Sequence, residues 1–385
     1  MHEKTERHTR AIHDESVATM GRRRFMDTLL GLGFGALSAA FLTAEDVRAA
    51  SDDEVPVVYG LVREGEELQP RRKSVPADWY DDFRTAVAAN RRLGAVETDD
   101  VASSAVEPGE YGGANAAIRV EVTSEDARGE VPEEFEQVPV EVEKVARVES
   151  GEATERGDDS TAPGSESEDS EPETVEGGIP GSVTIGSEDL YGTLAPAMRD
   201  PEDGSLYFAT ANHIYDGSDN GGQPLYLLDG GKTRIGTVET GYPESDLVCA
   251  TPESEFEPLH EIRNGSPGRV LGQFTRVGLS DLKAEGESLE KIGVKTGHTT
   301  GKIQAVDGFT CAYGAVCKRG QLKWGSESDF TDGDSGSVNF HADPENPDAG
   351  VLVGGLNNAR TWWPGENYIW GTGAYHITEK HGFTF

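Results

Sequence analysis

Thr331-Asp332-Gly333-Asp334-Ser335-Gly336-Ser337 is the stretch on which the fold assignment turns. It runs into the apolar Val338 and Phe340 and then, past a polar turn, into Val351-Leu352-Val353-Gly354-Gly355. A serine between an acid and a glycine, in a tight turn entering a strand, holds its hydroxyl clear of the backbone. Amide N–H groups converge beside it, so a nucleophile and an oxyanion hole share one loop. In a chain with 48 glycines the tetrapeptide alone reads more often as an ordinary turn, and its meaning depends on what stands upstream.

A serine hydroxyl needs a base, and the base needs an orienting acid. Of the nine histidines, His2, His8 and His13 fall in the leader and His376 and His381 in the polar tail. His213 ends the run Leu206-Tyr207-Phe208-Ala209-Thr210-Ala211-Asn212-His213, which reads as a buried strand delivering an imidazole to a loop. The competing reading is a solvated strand-end histidine. Asp246 opens Asp246-Leu247-Val248-Cys249-Ala250, where a half-buried carboxylate needs a donor such as an imidazole N–H. Its plain alternative is a strand-capping surface aspartate.

The order His213, Asp246, Ser335, at spacings of 33 and 89 residues, resembles the chymotrypsin-like serine peptidases. Val294-Lys295-Thr296-Gly297-His298-Thr299-Thr300-Gly301 is similar to a strand and turn of the bacterial branch. The resemblance covers 177–385 and implies an all-β, chymotrypsin-like double six-stranded β-barrel. His213 and Asp246 would come from the first barrel and Ser335 from the second. A group of prokaryotic relatives also carries a short α/β segment ahead of the peptidase domain.

Several roles follow from the resemblance alone. The N–H groups of Gly333 and Ser335 would form the oxyanion hole, and Gly354 and Gly355 would pair with the substrate backbone. A cation would hold Asp334, with Lys295 the first choice and His298 the second. Asp329, six residues before Ser335, is a candidate for the specificity pocket, where an acid would favour basic side chains. Two positions depart from the family. Ser337 replaces a usual glycine, and the serine that supports the catalytic aspartate in many relatives counts to Val353, which has no hydroxyl.

Residues 1–50 read as an export signal, with Arg22-Arg23-Arg24-Phe25-Met26 before a Gly- and Ala-rich stretch of about 17 residues, the lower limit for a span. This is a twin-arginine pattern. It implies an extracellular or cell-surface protein, with no stable membrane insertion unless the signal stays uncleaved. Residues 51–148 read as a small α/β unit, either a removable pro-segment or an accessory module. Ser74-Val75-Pro76 starts a helix carrying Trp79, Phe83 and Val87 and stopping at Gly94, and strands follow at Ile118–Val122 and Val138–Val142. Residues 149–176 are Glu, Asp, Ser and Pro with almost no large apolar side chain, the composition of a disordered linker. From 177 onward short strands alternate with turns and no long amphipathic helix is expected.

The formal net charge of −36 disfavours nucleic acid and anionic membranes as partners. It is similar to the surfaces of salt-loving organisms, so a haloarchaeal source and loss of structure at low salt are expected. Cys311 and Cys317 flank a hairpin that a disulfide could staple, and Cys249 reads as a buried thiol. Asp216-Gly217-Ser218-Asp219-Asn220-Gly221 reads as an Asx turn ahead of a calcium loop. No metal and no cofactor are expected. The function these features converge on is an exported serine endopeptidase acting on peptide or protein substrates. Two alternatives stand beside it, a catalytically weak or silent peptide binder and a cell-surface adhesion module.

Overall fold

The computed structural model describes residues 53–65, 67–93, 100–145, 178–311, 316–361 and 367–385. The expected export signal at 1–50, the acidic stretch at 149–176 and the helix stop at Gly94 lie outside them. Among the described residues no helix is long and apolar enough to cross a membrane.

The first part of the chain builds an α/β layer. Strands β1 (Glu54–Glu64) and β2 (Glu67–Pro76) form an antiparallel hairpin that leads into α1 (Ala77–Leu93). Asp78 stands in the first turn of α1 and Arg91 and Arg92 in the last, which suits the helix dipole. Trp79, Phe83 and Val87 recur at helical spacing and are buried. Then come β3 (Val101–Glu107), β4 (Ala117–Val122), α2 (Glu125–Glu130), β5 (Glu134–Phe135) and β6 (Val138–Lys144).

The first barrel is built from β7 (Ile179–Gly181), β8 (Thr184–Gly186), β9 (Tyr191–Thr193), β10 (Met198–Arg199), β11 (Leu206–Ala211), β12 (Pro224–Leu227), β13 (Thr233–Tyr242), β14 (Leu247–Pro252) and β15 (Pro258–Ile262). Its main sheet runs β10-β11-β14-β13-β12-β8-β9, and β7 pairs with β15 apart from it. The chain beyond β9 returns to β11 where the Ala195 N–H donates to the Ala209 carbonyl. Ile185, Phe208, Leu225, Ile235 and Val248 fill its interior.

The second half contains β16 (Val270–Phe274), α3 (Arg276–Glu285), β17 (Ser288–Gly293), β18 (Gly297–Thr310), β19 (Lys318–Trp324), β20 (Val338–Ala342), β21 (Val351–Arg360), β22 (Ile369–Gly373) and α4 (Ala374–His381). Strands β17, β18, β19, β22, β21 and β20 pair in a closed ring of six. The architecture is thus the all-β double barrel, preceded by an α/β layer. The two helices of this second half, α3 and α4, are short, at ten and eight residues. The ten residues of α3 carry Thr275 as N-cap, accepting from the Gly278 N–H, and end at Gly286 in the left-handed region.

The α/β layer is continuous with the second barrel at the backbone. Strand β1 pairs antiparallel with β16, which itself lies parallel to β21, and β3 pairs with β18. One apolar cluster runs through both parts, from Val57, Phe83, Ile118 and Val140 to Phe274, Leu289, Trp324 and Ile369. Buried ion pairs cross the same boundary. Lys323 meets Glu121, which also accepts from Ser103 and Tyr368. Arg276 and Arg91 share Asp307.

Candidate active site

The site lies where the two barrels meet, and each of its side chains reaches it from the end of a strand. Strand β11 ends at Ala211, and a 3-10 turn over Asn212–Ile214 turns His213 outward. Asn212 is buried and ties this turn to the following loop, donating to the Ser218 carbonyl and accepting from the Asn220 amide. In that loop Asp216 accepts from the Ser218 N–H and hydroxyl, the local pattern of an Asx turn. Asp246 follows a 3-10 turn over Pro243–Ser245 and stands just before β14 with φ 46° and ψ 46°, a left-handed conformation unusual outside glycine.

The distances between the three groups are those of hydrogen bonds. His213 Nδ1 lies 2.8 Å from Asp246 Oδ2, and the His213 N–H donates to Asp246 Oδ1 at 2.9 Å. On the other side of the ring, His213 Nε2 lies 2.9 Å from Ser335 Oγ. Asp246 is buried while the imidazole keeps 41% of its surface. Burial pushes the histidine pKa down, but the Asp246 carboxylate outweighs that and holds it above the usual value. Burial likewise opposes the Asp246 charge, yet His213 and, more weakly, Lys318 keep the carboxyl below its usual range.

The loop that carries Ser335 is clamped from both barrels. Gly333 (φ 98°) and Gly336 (φ 90°) take left-handed conformations against close neighbours. A β-carbon at Gly333 would meet the Tyr191 ring at 2.6 Å, and one at Gly336 would meet the Thr193 carbonyl at 2.2 Å. Thr193, in β9 of the first barrel, donates its N–H to the Ser335 carbonyl and its hydroxyl to the Gly333 carbonyl, both at 2.8 Å. Its hydroxyl also accepts from the Val294 N–H. Nothing in the sequence around Thr193 marked it beyond a polar residue in an apolar strand. Among the described residues the N–H groups of Gly333 and Ser335 have no protein acceptor.

Asp334 is fully buried and accepts from the N–H groups of Thr331, Lys295 and Thr296 and from the Thr296 hydroxyl. The cation facing it is Lys291, whose Nζ lies 3.6 Å from Asp334 Oδ2 with both side chains at 0% exposure. This corrects the expectation of Lys295, which serves through its backbone N–H while its ammonium lies over the Tyr191 ring. His298 is exposed and pairs with Glu290. The reason is strand geometry: Leu289, Lys291 and Gly293 are buried along β17 with the lysine facing inward, while Lys295 lies beyond the strand end. Burial pushes the Lys291 ammonium below its usual range, and Asp334 opposes that shift.

Four further residues singled out in the sequence, Gly354, Gly355, Val353 and Asp329, sit as follows. Gly354 and Gly355 do not offer a free edge, because Gly355 pairs with Asn339 of β20 on one side and Gly373 of β22 on the other, and a β-carbon at Gly354 would meet the Asn339 amide. Val353 is buried and pairs with Phe340 of β20 and Gln273 of β16. The part of β21 that faces the serine is five residues further on. Asn357 accepts from the Gly336 N–H, and Asn358 offers its carbonyl to Ser335 Oγ at 3.4 Å. Asp329 turns its carboxylate back on its own 3-10 turn, accepting from the Ser326 N–H, and its carbonyl accepts from Thr296 and Thr299.

Cys311 and Cys317 form a disulfide at the head of the hairpin that joins β18 to β19, and Cys249 is a buried free thiol, pushed up by burial. Among the described residues no group of three or more His, Cys, Asp or Glu side chains is arranged to hold a metal ion.

No protein-family model matches the chain, and no curated protein does. Among solved structures it is similar to a chymotrypsin of Cellulomonas bogoriensis, with 16% identity, a TM-score of 0.38, and coverage of 54% of this chain and 97% of the other. Protease A of Thermobifida fusca gives 17%, 0.39, and the same coverages. The MamO protease domain of Magnetospirillum magneticum gives 14% and 0.32, over 51% of this chain and 94% of that one.

Proposed function

We propose that the protein is a serine endopeptidase in which His213, Asp246 and Ser335 act as the catalytic triad. The reading is carried by one observation: the two nitrogens of a single imidazole lie within hydrogen-bond reach of a buried carboxylate and a serine hydroxyl. In the proposed reaction His213 Nε2 takes the Ser335 proton as Oγ bonds to the peptide carbonyl carbon. It then gives that proton to the leaving amine as the C–N bond breaks. Water, deprotonated by the same imidazole, releases the acid product and restores the serine. Asp246 fixes the tautomer and stabilises the imidazolium.

The unpartnered N–H groups of Gly333 and Ser335 are the proposed donors to the oxyanion. Asp334 and Lys291 hold that loop from below, and Thr193 holds it from the first barrel. The edge of β21 beyond Asn358 is the proposed place for the substrate backbone. Export through the leader and adaptation to molar salt belong to the same proposal, supported by Arg22-Arg23 and the net charge of −36. A melting temperature that rises between dilute buffer and multimolar salt is the expected sign of the latter.

The test is labelling with a fluorophosphonate in high salt. An adduct at Ser335 that disappears in His213→Ala supports the peptidase. No adduct in the folded parent chain would leave a peptide-binding or adhesive role.

A further inference from the structure

The acid of the proposed triad sits on a three-residue turn of the first barrel, yet the groups that grip this turn come from the second half of the chain. Lys318, at the start of β19, donates from Nζ to the Pro243 carbonyl at 3.0 Å. That carbonyl also accepts the N–H of Asp246 itself, at 3.3 Å. The Thr372 hydroxyl donates to the Ser245 carbonyl at 2.7 Å, and Ser245 Oγ lies 2.8 Å from His381 Nε2. The turn ends at Asp246 in the left-handed region, a conformation that costs about 1 kcal/mol or more and persists only where its surroundings impose it.

Lys318 is 5% exposed, and a buried ammonium persists where it is paired. The Cys311–Cys317 disulfide, one residue before it, fixes where its strand begins. Among the described residues the groups that donate to the Asp246 carboxylate are the backbone N–H and the ring Nδ1 of His213. We propose that Lys318 is a positioning residue of the triad: its ammonium pins the acid-bearing turn through Pro243 and sets, from the opposite barrel, a fixed positive charge beside a carboxylate to which His213 alone donates among the described residues. The inference rests on the triad reading and deepens it.

The electrostatics agree in sign. The Lys318 charge favours ionised Asp246 and disfavours protonated His213. Among the described residues the other charged groups near the pair include Asp332, which raises His213, and Glu244 with Lys380 and His381 around the outer face of the turn. Removing the lysine charge therefore moves the His213 pKa upward, and with it the acid limb of activity, because only the neutral imidazole accepts the serine proton.

The experiment is a histidine NMR titration of the full chain in high salt, with His213→Ala assigning the resonance, run beside the pH dependence of fluorophosphonate labelling. Lys318→Gln removes the charge and keeps a donor, and Lys318→Met does so without one. Lys318→Arg keeps the charge, and Thr372→Val loosens the same turn with no change of charge. The expected result is an upward shift of His213 in the Gln and Met variants, with labelling on the acid limb reduced several-fold and recovering in alkali. The Arg and Thr372→Val variants should titrate like the parent. If folded Lys318→Gln titrates with the parent while Ser335 still labels, the inference about Lys318 is overturned and the peptidase reading stands. A shifted titration without any labelling overturns the peptidase reading and leaves Lys318 as the electrostatic partner of the His213–Asp246 pair. Should the Met variant fail to fold, the Gln and Arg pair decides.

Discussion

Two seams run through this molecule, and they are built differently. The seam between the α/β layer and the second barrel is made of backbone: β1 continues the sheet through β16, β3 continues it through β18, and an apolar cluster with buried ion pairs lies behind them. At the seam between the two barrels no strand of one sheet pairs with a strand of the other among the described residues. It is held by Thr193 on the serine loop, Lys318 and Thr372 on the Pro243 turn, and the C-terminal tail, where Arg199 and Thr384 exchange backbone hydrogen bonds. A sheet that crosses a boundary commits its N–H and carbonyl groups. A boundary held by side chains and a few isolated backbone bonds leaves an imidazole and a hydroxyl free to change partners during a reaction. The difference predicts that damage at the first seam costs stability and damage at the second costs chemistry.

The largest expected effect tests the second half of that statement. Ser335→Ala and His213→Ala should each lower peptidase activity by about 10⁴- to 10⁶-fold while the unfolding transition stays within about 1 kcal/mol of the parent. Losing both stability and activity together would mean that the two seams are not separable. The acid limb of the parent should lie above the usual histidine value, with activity falling as pH drops through it, because Asp246 raises His213 against the effect of burial.

The first seam has its own test in Lys323, which lies between Glu121 and the rings of Tyr368 and Trp370. Lys323→Met strands a buried carboxylate and should cost about 3–5 kcal/mol, whereas Glu121→Leu with Lys323→Met should recover much of that loss. Denaturant unfolding measures both. Labelling of Ser335 per folded molecule should not change, and a slower rate in the folded fraction would contradict the division.

How much of this was legible beforehand follows the same divide. His213, Asp246 and Ser335 announce themselves locally, each at the edge of an apolar run with its own turn chemistry. The helix at Ala77–Leu93 and the strands near Ile118 and Val138 were legible from periodicity. The continuity of the α/β layer with the barrel was not, because β1 meets β16 across some two hundred residues and nothing local encodes which edge it chooses. Lys291 escaped for a related reason: its charge is explained only by Asp334, which arrives from another strand pair. The helix between Thr275 and Gly286 is only ten residues long, too short for its period to stand out among the strands around it.

Acid separates the seams at a smaller scale. Burial works against the Asp307 charge, but Arg276 and Arg91 overcome it and hold the carboxyl at about 2. Its folded pKa is below its unfolded value near 3.9, so its contribution is present above that value and is lost as pH falls towards 2. The amount is about 2–3 kcal/mol. Stability between about pH 5 and pH 2 should fall less steeply in Asp307→Asn, which starts from a lower plateau. An unchanged slope would remove Asp307 from the account.

The smallest effect isolates one hydroxyl at the backbone-built seam. Thr275 Oγ1 accepts from the Gly278 N–H as the N-cap of α3 and donates to the Val58 carbonyl of β1 at 2.7 Å. One oxygen therefore both starts a helix of the second half and holds the edge of the α/β layer. Thr275→Val keeps the shape, removes both bonds, and should cost about 1–2 kcal/mol. Thr275→Ser should keep most of it, since a serine oxygen caps equally well. If the seam behaves as one cooperative sheet, amide exchange should quicken in β1 and β16 together and not in β11 or β14. Faster exchange in the first barrel as well would show that the loss is global, and that a single hydroxyl on one side is felt across both boundaries.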